Sequence, residues 1–180
     1  MERALLIVDL QNDFLPGGAL PAPQGRKIIP VINELLPRFD LVVASKDWHP
    51  EKTVHFNKWP VHCVHDTMGA AFPEELDNRH IELEIFKGTN DSDDGYSAFE
   101  ATNINLKEYL QNKDVNELYV VGIATEYCVK NSVLDSLKAG FKTFVIIDGV
   151  AGVCAAPGDE DKAWQEMTEA GATLIYSDNL

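Results

Sequence analysis

The feature that most limits what this chain can fold into is an alternation of two hydrophobic periods. Short apolar runs rich in β-branched residues recur at 4–10 (ALLIVDL), 41–47 (LVVASKD), 81–86 (IELEIF), 117–123 (ELYVVGI) and 142–148 (KTFVIID), and ATLIYS closes the chain. Such runs have the character of buried parallel strands. The segments between most of them carry helical spacing, at 27–39, 106–112, 126–139 and 160–170. Strand alternating with helix is the pattern of a parallel sheet covered by helices on both faces, an α/β doubly wound layer. With 180 residues and 45% hydrophobic content, the chain can bury one sizeable core but not two. One domain over 1–180 is therefore expected.

Charge excludes some partners. The formal net charge is −14. Nucleic acid is bound largely by basic residues that displace counterions, and an anionic membrane surface is disfavoured for the same reason. The opening MERALLIVDL has an apolar run far shorter than the roughly 20 residues that span a bilayer, so it reads as a buried strand rather than a leader. Three cysteines, Cys63, Cys128 and Cys154, have no C-x-x-C spacing. That sparse, odd set fits a reducing compartment, and the cytoplasm is the expected location. Nothing in the spacing fixes assembly, and a homo-oligomer stays open.

In an open parallel sheet, ligands bind beyond the carboxyl ends of the strands. Three reactive side chains fall there: Asp9 ends the first strand, Lys87 follows IELEIF, and Cys128 opens the helix after ELYVVGI. A thiol at a helix N-terminus feels the positive end of the macrodipole, which lowers its pKa, and a nearby ammonium adds to this. A carboxylate touching the thiol could take its proton and return it to a leaving amine. Taken singly, each residue also has an ordinary reading: Asp9 as a loop cap, Lys87 as a solvated cation, Cys128 as a small buried hydrophobe. Cys63 and Cys154 lack this setting and are read as ordinary.

A second group lies in KDWHPEKTVHFNKWPVHC. Asp47, His49, His55 and His62 supply one carboxylate and three imidazoles within sixteen positions, and in an extended backbone Asp47 and His49 point the same way. This set suits one divalent ion, Zn, Fe or Mn in preference to calcium. His65 is a spare imidazole that could replace one of the three. The long segments that carry these residues, 48–80 and 87–97, are broken by proline or rich in Gly, Asp and Ser, as functional loops are.

Together VDLQNDFLPGGAL, KDWHP, WPVHC, FKG followed by GYSAFE, and GIATEYCV give the chain an almost end-to-end likeness to a known family. It resembles the nicotinamidase/pyrazinamidase branch of the isochorismatase-like cysteine hydrolases. The resemblance implies Asp9 as base, Lys87 as the cation beside the thiolate and Cys128 as nucleophile. It implies Asp47, His49, His55 and His62 as metal ligands, with waters completing the coordination and the ion, zinc first among the three, orienting the ring nitrogen of the substrate. Phe14, Trp59 and Tyr96 would wall the ring pocket. A cis peptide between Ile123 and Ala124 is implied too, with the N–H groups of Ala124 and Cys128 turned toward an oxyanion. The implied reaction is hydrolysis of nicotinamide to nicotinate and ammonia through a thioester on Cys128, a step of NAD salvage, with pyrazinamide accepted as an analogue. Two places depart from the family's pattern. Where it has a Gln-Gly-Thr-Pro-Gly-like turn this chain reads VHDTMG, and the loop from His55 to Trp59 is short.

Other readings remain within reach of the sequence. One is a different small-amide hydrolase of the same fold; another is a metallohydrolase in which the ion activates water and Cys128 is structural. A third is a metal- or pyridine-binding protein without catalysis.

Overall fold

The computed structural model describes residues 2–180. Six strands form one sheet: β1 (Glu2–Val8), β2 (Leu41–Asp47), β3 (Leu83–Lys87), β4 (Val115–Ile123), β5 (Lys142–Ala151) and β6 (Thr173–Ile175). Every pairing is parallel, and the order across the sheet is β3-β2-β1-β4-β5-β6. Four helices, α1 (Gly25–Leu35), α2 (Leu106–Asn112), α3 (Lys130–Ala139) and α4 (Asp159–Glu169), complete the layers. The expected α/β doubly wound architecture is what the chain adopts.

The inner strands are largely apolar on both sides because helices cover both sides. On one face Leu5, Ile7, Tyr119, Val121 and Ile146 pack with Ile28, Ile29, Ile32 and Leu35 of α1. Burying those four aliphatic side chains contributes about 2 kcal/mol each. On the other face Leu6, Val8, Val43, Val120 and Val145 meet Leu110 of α2, Val133 of α3 and Met167 of α4. No helix among the described residues is long and apolar enough to cross a membrane.

Several boundaries differ from the periodicity. The segment read as one helix over 27–39 is α1 followed by a tight turn at Leu36–Arg38, because Pro37 has no backbone N–H with which to continue the helical hydrogen-bond ladder. The segment read over 126–139 opens with a wide, π-type turn at Thr125–Val129 before α3 begins. Strand β5 runs on to Ala151, beyond Asp148 and Gly149, through an irregularity in its pairing with β4. Lys87 is the last residue of β3 instead of following it, paired in register with Asp47 at the end of β2.

The order of the strands decides where a ligand can sit. Chain connections diverge on either side of β1 and β4, and the crevice at such a switch point opens beyond their carboxyl ends. Close approach of those two strands depends on Gly122, which has φ +120°; a Cβ there would stand 2.0 Å from the Val8 carbonyl oxygen. Gly122→Ala is therefore expected to lose about 3 kcal/mol through overpacking of a central strand pair. For a chain of this size that lowers Tm by about 6–12 °C. A melting curve matching wild type would contradict this account of the strand contact.

Candidate active site

Four strand ends deliver the polar centre. Asp9 directly follows β1, Asp47 ends β2, Lys87 ends β3, and Cys128 lies in the turn after β4. The Lys87 side chain is fully buried, an unusual place for a lysine. Its Nζ stands 2.7 Å from Asp9 Oδ2, 2.5 Å from Asp47 Oδ1, 2.7 Å from the Gly95 carbonyl oxygen and 3.3 Å from Cys128 Sγ. A carboxylate oxygen of Asp9, one of Asp47 and the Cys128 sulfur all lie within 4.8 Å of one another. The three residues singled out by the sequence thus converge.

Charge coupling follows from that crowding. Burial alone would discharge Lys87, but the Asp47 and Asp9 carboxylates hold its pKa well above the ordinary lysine value. Burial would also raise Asp47, yet the Lys87 ammonium overrides it and keeps that carboxyl well below the usual range. Asp9 goes the other way: burial, reinforced by the neighbouring Asp47 charge, outweighs Lys87 and raises its pKa. Asp9 Oδ1 accepts from Ser45 Oγ at 2.7 Å, and Oδ2 faces the Lys87 ammonium at 2.7 Å. A carboxylate of raised basicity beside a thiol is suited to receive a proton.

Cys128 corrects one expectation. The helix terminus and the ammonium were expected to lower its pKa; instead burial raises it well above the ordinary thiol value, with Asp9 and Asp47 adding to burial and Lys87 opposing it. Desolvation of a thiolate outweighs a partial dipole charge. Cys128 is also the fourth residue of a π-type turn and not part of an ordinary first helical turn. Of the other two cysteines, Cys63 is buried and Cys154 exposed, both free thiols.

The histidines form the second half of the centre. His49 Nδ1 contacts the Gly88 carbonyl at 2.9 Å, His62 Nδ1 the Pro60 carbonyl at 2.7 Å, and His55 Nδ1 the Asp93 carboxylate at 3.1 Å. Each of those partners only accepts, so a neutral ring must carry its proton on Nδ1 and its lone pair on Nε2. Burial lowers the His55 pKa and favours that neutral form. One ring nitrogen from each of the three lies within 4.8 Å of the others. Asp47 Oδ2 is 3.5 Å from His49 Nε2 and 3.6 Å from His62 Nε2, and buried His49 Nε2 has no hydrogen-bond partner. Lone pairs and a carboxylate oxygen crowded together without a proton between them fit a divalent cation. His65 is outside this group, half-exposed and paired with Asp66.

The VHDTMG departure is held in place by the loop after β1. Asp13 Oδ2 accepts from the Cys63 N–H at 2.7 Å, the Asn12 side chain donates to the Met68 carbonyl at 2.8 Å, and a Cβ on Gly69 would meet the Asp13 carboxylate. His49 is then clamped by backbone bonds to Cys63 and His65. The short loop from His55 to Trp59 is a single tight turn in which the two rings stack, 6.4 Å apart.

A small cavity opens onto both halves of the centre. Phe14, Trp59 and Tyr96 line it as expected, with Asp47, His55 and His62 among its polar lining and Ala124 and Cys128 also on its wall. The Ile123–Ala124 peptide is cis. Sequence reasoning missed Leu20, Tyr127 and Val153, apolar loop or turn residues with no periodicity to mark them. It also missed three supports: Ser45 beneath Asp9, Asp93 beside His55, and Gln11. The Gln11 amide donates to the Asp47 and Ala70 carbonyls and accepts from the Asp47 N–H. Ser45 alone had a readable signal, two residues before Asp47 on the same side of a strand.

Comparison with known proteins agrees with this picture. The isochorismatase domain family model matches residues 3–179. The nicotinamidase of Escherichia coli is 40% identical, over 96% of this chain and 93% of its own length. The crystal structure of the pyrazinamidase of Pyrococcus horikoshii in complex with zinc superposes with TM-score 0.86 at 41% identity, covering 98% of this chain and 99% of the other. The PnC1 protein of L. infantum, solved in complex with nicotinate, gives TM-score 0.92 at 32% identity, covering 98% and 93%. The chain belongs to the isochorismatase domain family.

The Lys87 cluster carries a pH signature. Lys87→Met would strand two buried carboxylates and cost about 3–5 kcal/mol at pH 7. In wild type, the depressed Asp47 pKa gives stability that is fully present from about pH 7 to pH 5 and is lost only as pH falls through and below the ordinary carboxylate range. In the variant, burial without the ammonium would raise both carboxyl pKa values above their unfolded values, so stability is gained as pH falls. The gap between the two proteins in urea unfolding is expected to narrow from pH 7 to pH 5. A gap that is the same at both pH values would contradict the ion-pair account.

Proposed function

We propose that this protein is a nicotinamidase, hydrolysing the carboxamide of nicotinamide to nicotinate and ammonia, and accepting pyrazinamide as an analogue. The observation that carries this reading is the cavity itself: apolar and aromatic walls that suit a flat ring, with a thiol and a convergent imidazole group both on its lining. Nicotinamide has a matching layout, a ring nitrogen to be oriented and a carboxamide carbon to be attacked. The relatives at 37–40% identity over nearly the whole chain are nicotinamidases, which supports the same substrate class.

The proposed roles are these. Phe14, Trp59 and Tyr96 sandwich and seat the ring. Asp9 takes the Cys128 proton, and the sulfur attacks the amide carbon. Backbone N–H groups of Ala124 and Cys128 would hold the oxygen as it gains charge. Asp9 then gives its proton to the departing nitrogen, the C–N bond breaks, and ammonia leaves a thioester on Cys128. Water, deprotonated by Asp9, adds to the thioester; nicotinate departs and the thiol is restored. Lys87 stays charged throughout, because its two carboxylates hold its proton, and it offsets negative charge as the thiolate forms. Asp47, His49, His55 and His62 would hold one divalent cation, with zinc the leading choice, which supplies a Lewis-acid anchor for the ring nitrogen when bound.

Cys128→Ala is expected to cut ammonia release from nicotinamide by at least about 10³-fold, as removal of a covalent nucleophile does. A variant keeping most of the wild-type rate would favour water activated at the metal group, with Cys128 structural. Stripping metal with a chelator is expected to lower turnover and zinc to restore it. Background ammonia release from zinc-loaded wild type would remove the amidase reading altogether.

A further inference from the structure

Resting on the reading that His49, His55 and His62 hold a divalent cation, we propose that Asp93 is a positioning residue that locks His55 toward that cation and fastens it to the aromatic wall of the cavity. Two of the three imidazoles are oriented by backbone carbonyls, those of Gly88 and Pro60. His55 differs, since its Nδ1 partner is a side chain, Asp93 Oδ1. The same oxygen accepts from the Tyr96 hydroxyl at 2.6 Å, and the Tyr96 oxygen accepts from Trp59 Nε1 at 3.1 Å. Asp93 Oδ2 pairs with Lys58 Nζ. One carboxylate therefore gathers the imidazole, the phenol and, through it, the indole.

The chemistry gives each contact a consequence. An ionised carboxylate has only lone pairs, so the His55 proton must sit on Nδ1 and the Nε2 lone pair faces His49 and His62. A charged acceptor also raises the basicity of the ring more than a carbonyl does, and such partners are worth 10–100-fold in metal affinity. Asp93 comes from the loop after β3, whereas His55, Lys58 and Trp59 come from the loop after β2. Those loops are tied again where Asp91 accepts from the Val54 N–H at 2.8 Å. Asp93 thus joins the metal group to the ring pocket at the meeting point of two loops that have no strand pairing to hold them.

The test measures zinc affinity of metal-stripped protein by competition with a chromophoric chelator. Asp93→Ala is expected to weaken zinc binding by about 10–100-fold and Asp93→Asn by less, since an amide oxygen can still accept from His55. In a His55→Ala background, Asp93→Ala is expected to change affinity by less than about twofold, because its route to the metal is gone. At saturating zinc, Asp93→Ala should raise KM for nicotinamide by about tenfold and move kcat by less than about threefold, the Cys128 cluster being untouched. Asp93→Asn, nearly isosteric, carries the test should the alanine variant not fold. Unchanged zinc affinity, or equal losses with and without His55, would overturn the proposal while leaving the metal reading intact. An unchanged KM would overturn its link to the pocket wall. Wild-type protein that binds no zinc would overturn both the metal reading and this inference.

Discussion

A buried ammonium between two carboxylates and a thiol is the constraint on which the rest of this structure depends. Taking Lys87 out of water is costly by several kcal/mol, and only close, fixed counter-charges offset that cost. Asp9 and Asp47 provide them at 2.7 and 2.5 Å, each delivered by the end of a different strand. The parallel sheet is what makes this possible, since β1, β2 and β3 are adjacent and in register, and β4 brings Cys128 from the other side. The fold can be read as a frame that holds four strand ends together tightly enough to keep one lysine charged without water.

Asp47 connects the two halves of the site. Its Oδ1 binds the ammonium while Oδ2 faces two imidazoles, so the reactive cluster and the proposed metal group share one carboxylate. Gln11 clips the Asp47 backbone from both sides and fixes the position of that shared group. Displacement of the metal loop would thus be felt at Lys87, and through Lys87 at Cys128. The VHDTMG segment is pinned by Asp13 and Asn12 from the loop after β1.

Much of this was legible in the sequence, and the remainder was not for identifiable reasons. Apolar runs marked the strands because burial on both faces leaves the inner ones little polar alternation, and 41–47 matches β2 to the residue. Strand ends told where Asp9, Lys87 and Cys128 would meet. Local pattern could not show that Lys87 lies inside its strand, since lysine carries the composition signal of a surface. It could not show the Cys128 pKa either: a helix terminus is visible in sequence, but the depth at which it is buried is a tertiary property. Gln11, Asp93 and Val153 were silent because their roles depend on contacts across 36, 38 or more positions, or on a loop wall, and not on any period.

The central claim is that chemistry passes through the Cys128 sulfur and not through water attacking the amide directly. Trapping with hydroxylamine tests it most directly, because a thioester partitions between water and an added nucleophile whereas a one-step hydrolysis has nothing to intercept. Zinc-loaded wild type turning over nicotinamide should form the hydroxamate in proportion to added hydroxylamine, with ammonia release undiminished. Nicotinate as sole product at every hydroxylamine concentration, with turnover intact, would contradict the account.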